Sequence, residues 1–209
     1  MPMMTGMERD KLTRRGLRLA WFIVVWDLIE GAVAITAGLA AGSTALVGFG
    51  IDSAIEVFAA SVVIWQLRDG TTSRLRPALR MIALTFYALA AYVVFEAARD
   101  LITQDKAGES LVGIMLNVAA LIVMVPVALA QRRTGQALGN PVLVAQSTET
   151  WMSNYLSISV LAGLGLNTVL GWWWADPVAA LVVAGFAAWS GHEAWKEAGE
   201  HQAEHPGGP

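Results

Sequence analysis

The chain has 209 residues, 56% hydrophobic and 15% charged, with a net charge of −3. A soluble domain carries about 25% charged residues, so this composition excludes an ordinary water-soluble enzyme or binding module and points to the bilayer. The absence of cysteine removes disulfides, thiolate metal sites and a cysteine nucleophile, and no dense basic patch is present to hold nucleic acid.

Residues 1–16 read as a polar, Met-rich tail. Span one follows at about Leu17–Ala41. Its basic flank superficially resembles a signal peptide, but the apolar run is longer than a signal core and carries Asp27 and Glu30, so it reads as a retained helix. Gly42-Ser43 is expected to break it, and span two runs about Thr44–Leu67. RDGTTSRLRP reads as a loop, span three as about Ala78–Ala98, and Arg99 to Ser110 as the next connection. Span four covers about Leu111–Ala130, with Pro126 expected to kink it. QRRTGQALGNP connects to span five, about Val142–Leu170. GWWWAD is a tight turn, Asp176-Pro177 reads as the N-cap and first position of span six, and span six ends near Trp195. Residues 196–209 form a polar tail whose His201 and His205, with His192 just before it, read as solvated. Each span reaches the ~20 residues that cross a hydrocarbon core. The expected fold is therefore all-α, a polytopic six-helix transmembrane bundle at residues 17–195 flanked by two short tails.

Twelve of the 14 Lys and Arg fall in the N-terminal tail, the second and fourth connections and the C-terminal tail, leaving Arg99 and Lys106 opposite. The positive-inside rule then places both termini in the cytoplasm, with a cell inner membrane as the expected location. The nine Trp agree with interfacial belts, and Trp172-Trp173-Trp174 is expected to lie at the outer interface.

The chemistry lies in span two. Asp52 and Glu56 are four apart, so they share a helix face one turn from each other. At ~1.5 Å per residue they fall near the midplane, where a carboxylate costs about 2.5–3.5 kcal/mol on insertion scales. A cation or a shared proton between them accounts for their presence. Asp27 and Glu30 of span one and Glu149, Thr150, Ser153 and Asn154 of span five fall at similar depth. Polar groups from three helices on one level describe a cation pathway. Asp27 and Glu30 are candidate proton carriers or partners of the liganding groups. Glu96 with Arg99 reads as an interfacial ion pair, and Asn117 as an interhelical hydrogen-bonding group. No nucleotide-binding, metallohydrolase or nucleophile-elbow motif is present, so the chain is not expected to be an enzyme.

GSTALVGFGIDSAIEV resembles the second-helix signature of the cation diffusion facilitators, the cation efflux family, with Asp52 and Glu56 on its two metal-ligand positions. Glu30-Gly31 and the GWWWADPVAALVVAGFAAWSG segment are similar to the family's first helix and its fifth-to-sixth junction. The resemblance implies a secondary transporter exporting divalent metal, with Zn²⁺ slightly favoured and Mn²⁺, Co²⁺ and Fe²⁺ admitted, by proton exchange. The metal is cargo and no resident cofactor is expected. It also implies a homodimer in the lipid bilayer. Counted back from the Ala-Asp-Pro junction, the family's fifth-helix ligands fall on Thr150 and Asn154, with Glu149 and Ser153 as the neighbouring register. The family's usual His or Asp pair is thus replaced by weaker ligands. The family's cytoplasmic metal-binding domain is not expected here. The resulting all-oxygen set suits Mn²⁺ and similar hard ions at least as well as Zn²⁺. The weak fifth-helix ligands leave an alternative, a non-transporting accessory or metal-sensing subunit on the same scaffold.

Overall fold

The computed structural model describes residues 6–41, 44–69, 73–103 and 111–203. Six helices cover them: α1 Gly6–Ala41, α2 Thr44–Asp69, α3 Leu75–Thr103, α4 Leu111–Leu138, α5 Pro141–Leu170 and α6 Ala175–Ala203. Among the described residues, α1 to α4 are each long and apolar enough to cross a membrane. α5 and α6, at 30 and 29 residues, match that length. The protein is an all-α membrane bundle.

Helices run past the expected span ends. The tail expected at 1–16 is helical from Gly6, α4 continues through the expected connection to Leu138, and α6 continues to Ala203. Span lengths were bounded by hydropathy. A helix can extend into the interface wherever good helix formers follow, as Glu, Lys, Arg, Ala and Gln do here. Pro126 lies inside an unbroken α4. The expected break at Gly42-Ser43, most of the 99–110 connection and the position of His205 fall outside the described residues.

The burial pattern is that of a membrane bundle. Along α1, Ala20, Ile23, Val24, Asp27, Glu30, Gly31, Ala34 and Gly38 are buried, while Trp21, Phe22, Val25, Leu28, Ile29 and Val33 face outward. The buried stripe repeats at helical spacing and carries the acids; the exposed face from Trp21 to Val33 is apolar. In water this would be an inverted helix, whereas in lipid it is the low-energy arrangement.

Small residues let α1 and α2 approach. A side chain at Gly50 would meet Ile35 and stand 3.1 Å from the Gly31 carbonyl oxygen, and one at Gly38 would meet the backbone nitrogen of Val47. The pairing of 38 with 47 and of 31 with 50 makes the two helices antiparallel. Gly50→Leu is therefore expected to separate this seam. Overpacking of this kind costs about 1–3 kcal/mol, which a thermal-unfolding scan in detergent would read as a midpoint several degrees lower. An unchanged midpoint would rule out close α1–α2 packing.

The α4–α5 turn is the best-defined local motif. Gly139 adopts φ 62°, and Asn140 caps α5 by accepting from the Leu143 N–H at 3.0 Å, with Pro141 next. The Asn140 amide also donates to Gln66 of α2 at 2.8 Å. Nearby, Gln131 Nε2 donates to Gln146 Oε1 at 2.7 Å across α4 and α5. These bonds fix α5 in register with α2, which positions the site. At the other end Gly171, with φ 70°, closes α5, and Trp172 stacks on Trp174 at 5.6 Å. The N-cap expected at Asp176 is replaced. α6 begins at Ala175, with Trp174 accepting from the Val178 N–H at 3.2 Å, because the αL turn at Gly171 starts the next helix early.

Arg68, Arg74 and Arg80 stack over Trp21, Trp65 and Trp195 at 4.8–5.6 Å. All three pairs cluster at the end of the bundle that also holds Gly16, Leu67, Thr134 and Leu143. This basic, aromatic end is called the basal end below, and the opposite end the distal end.

Candidate metal centre

Three helices, α2 and the two that run antiparallel to it, α1 and α5, bring the polar residues together. α1 supplies Asp27 and Glu30, α2 supplies Asp52, Ser53 and Glu56, and α5 supplies Thr150, Ser153, Asn154 and Ser157. Phe49, Ala120 and Met124 complete the wall of one enclosed cavity of about 20 Å³. A water-sized sphere needs about 10–15 Å³ of such space. The cavity therefore has room for about one body the size of a water molecule.

All four carboxylates are 9% exposed or less. Asp27 Oδ2, Glu30 Oε1, Asp52 Oδ1 and Glu56 Oε2 have no hydrogen-bond partner. Asp27 stands beside Glu56, Trp26 beside Glu30, and Ser153 beside both Asp52 and Glu56. The Ser153 hydroxyl has no hydrogen-bond partner of its own. Among the described residues, no Lys, Arg or His lines the cavity. Two like charges 4 Å apart repel by about 4 kcal/mol at an effective dielectric of 20. Four acids facing each other thus require protons or a cation.

The α5 side offers neutral oxygens. Asn154 Nδ2 donates to the Thr150 carbonyl at 2.9 Å, which turns the amide oxygen into the ligating end. Thr150 Oγ1 donates to the Gln146 carbonyl at 3.3 Å and keeps lone pairs for a cation. Among the described residues, no three His, Cys, Asp or Glu side chains form a ready metal cage. Chelation therefore needs the carboxylates to rotate inward around the cavity.

Glu149 is placed differently from its sequence neighbours. It is 1% exposed and both its carboxylate oxygens are unpartnered, but it stands beside Thr85 of α3 and is not among the cavity-lining residues. Of the two registers open in the sequence, Thr150 and Asn154 line the cavity, Ser153 joins them, and Glu149 points to the α3 side.

Ser53, Ser157 and Met124 were not singled out from sequence. Ser157 lies three residues after Asn154 and four after Ser153, so the helical spacing signalled it. Ser53 donates to the Phe49 carbonyl at 3.1 Å, a local bond that gives no sequence signal. Asn117 also departs from expectation. Its amide donates within its own helix, to Gly113 at 2.9 Å, so the expected interhelical bond is not made.

The comparisons agree with this geometry. The "Cation efflux transmembrane domain" profile matches residues 79–200. A Synechocystis sp. protein named "Uncharacterized transporter sll1263" is 27% identical over 178 residues, covering 80% of this chain and 56% of its own length. A Shewanella oneidensis protein named "Cation-efflux pump FieF" is 27% identical over 92 residues, covering 44% of this chain and 31% of its own length. The chain thus spans about half or less of the curated relatives it matches. With the family profile covering more than half of the sequence, and an all-α bundle holding a buried acidic cavity, the chain belongs to the cation efflux family.

Proposed function

We propose that the protein is a secondary transporter that moves a divalent transition-metal cation across the membrane, bound between Asp52 and Glu56 and exchanged for protons. The observation that carries this reading is the convergence of four carboxylates and five neutral oxygen-bearing side chains on one small cavity, with no basic residue among the described lining residues. Asp52 and Glu56 are the charged ligands, and Asn154, Thr150 and Ser153 complete the set from α5. Asp27 and Glu30 of α1 line the same cavity, Asp27 beside Glu56, as proton holders. A proton on the carboxylates and a metal between them are alternatives, so each displaces the other. Rocking of the helices around the cavity would expose it to each side in turn.

The cavity size narrows the cargo. Mg²⁺ sheds water reluctantly and keeps several waters when bound, so a cavity of about 20 Å³ disfavours it. The oxygen-rich donor set accepts Zn²⁺, Mn²⁺, Co²⁺ and Fe²⁺. The metal is cargo and the protein is not an enzyme. The basal end, with its arginines and tryptophans, is assigned to the cytoplasmic face of the inner membrane, and the working unit is a homodimer.

A second reading, an accessory or metal-sensing subunit, draws on the lack of a ready three-ligand cage among the described residues. Transport assays separate the two. Purified full-length protein in liposomes with an internal metal-sensitive dye is expected to admit Zn²⁺ or Mn²⁺. A pH gradient of about one unit, acid on the side opposite the metal, is expected to speed entry severalfold, since protons weaken metal binding at carboxylates. Entry no faster than in protein-free liposomes would reject transport and leave the accessory role.

A further inference from the structure

A second, larger cavity opens beside the first toward the distal end. It has a volume of about 130 Å³ and shares Phe49, Asp52, Ser153 and Ser157 with the inner one. Its further polar lining comes from Tyr92, Glu96 and Asp100 of α3 and Asn117 of α4. Glu96 and Asp100 are one helical turn apart and lie on the same side of α3.

Asn117 supplies the independent clue. It is 7% exposed, its Nδ2 is committed to the Gly113 carbonyl, and its Oδ1 has no hydrogen-bond partner. A buried, unpaired amide oxygen is costly, and the cavity it lines is acidic. Among the described residues that line it there is no cationic side chain. Arg99 meets Glu96 at 3.9 Å from within the same helix and does not line the cavity. Tyr92 sits over Gly48, where any side chain would collide with its hydroxyl. The glycine thus seats the phenol against α2 and brings a neutral oxygen to the wall.

We propose that this cavity is a second cation station, which takes the metal between Glu96 and the Asn117 amide oxygen, with most of its water, as it leaves Asp52. The inner cavity has room for a nearly bare ion, whereas the distal one also has room for several waters. A hydrated ion is held more weakly, so the station accepts metal from the tight site and releases it readily. Asp52, common to both cavities, is the point of transfer. The inference rests on the transport reading for its direction, but not for the existence of the site.

Isothermal titration of the full-length protein in detergent with Mn²⁺ tests it. Wild type is expected to show a tight and a weak class of sites. Glu96→Gln and Asn117→Leu are each expected to weaken the weak class at least tenfold and to leave the tight class within about twofold. Glu96→Gln keeps the side-chain shape, so its result stands even if Asn117→Leu fails to fold. Glu56 lines only the inner cavity, and Glu56→Gln is expected to remove the tight class and keep the weak one. A single class in wild type, or a weak class untouched by Glu96→Gln, would overturn the distal station. A tight class that survives Glu56→Gln would instead overturn the assignment of the inner cavity and leave the distal station standing.

Discussion

Asp52→Asn is expected to lower metal flux in proteoliposomes at least 100-fold, a loss of about 2.7 kcal/mol in binding terms, without lowering the thermal midpoint. Asparagine has the shape of aspartate, so the α1–α2 seam and the cavity walls keep their packing. What disappears is one negative charge on a buried carboxylate whose Oδ1 has no protein partner. A neutral amide is a far weaker ligand for a divalent ion than a carboxylate. Stability should hold or rise, since one member of a like-charged cluster has been removed. That pairing of results separates a ligand from a packing group, because a structural acid would lose midpoint and flux together. Glu56→Gln is expected to behave in the same way. Glu149→Gln is the comparison within α5. Its carboxylate stands on the α3 side, outside the cavity, and flux should change less than about threefold.

The second large effect is a gain. Thr150→His with Asn154→Asp restores the stronger ligand pair that the family's fifth helix usually carries. Both positions are buried and line the inner cavity, four residues apart on one face. The pair adds an imidazole nitrogen and a carboxylate to an oxygen-only site. Zn²⁺ accepts nitrogen ligands readily, whereas Mn²⁺ is suited to oxygen. Zn²⁺ affinity is therefore expected to rise about 100-fold, with Mn²⁺ affinity rising much less. Zn²⁺ flux is expected to fall at saturation, because an ion held about 2.7 kcal/mol more tightly leaves more slowly. Metal titration and single-turnover dye assays would read the two effects. Unchanged Zn²⁺ affinity would mean that these residues do not meet the ion.

Helix count and order were legible in the sequence because apolar runs and basic connections alternate so regularly. Helix ends were not, since the arginines and glutamines after Ala130 are good helix formers that hydropathy alone assigns to a loop. Asp52 and Glu56 stood out because a carboxylate inside an apolar run has few cheap explanations. That Asp27 and Glu30 face the same cavity follows from the Gly31–Gly50 approach of α1 and α2, a tertiary fact that helical spacing cannot supply. The register of α5 was ambiguous for a related reason. Glu149 and Thr150 are adjacent and differ by about 100° around the helix, and only the fixing of α5 by Asn140 and Gln146 decides which faces α2. Asn117 read as interhelical glue, but its donor satisfies its own helix and its acceptor opens onto the distal cavity.

The central claim is that a metal ion sits between Asp52 and Glu56. Anomalous X-ray scattering at the Mn and Zn absorption edges, from crystals of the full-length protein grown with each ion, tests it most directly. The account predicts a strong peak in the inner cavity, about 2.0–2.2 Å from carboxylate oxygens of both residues for bound Zn²⁺. An inner cavity without an anomalous peak, in crystals that bind the metal elsewhere, would contradict it.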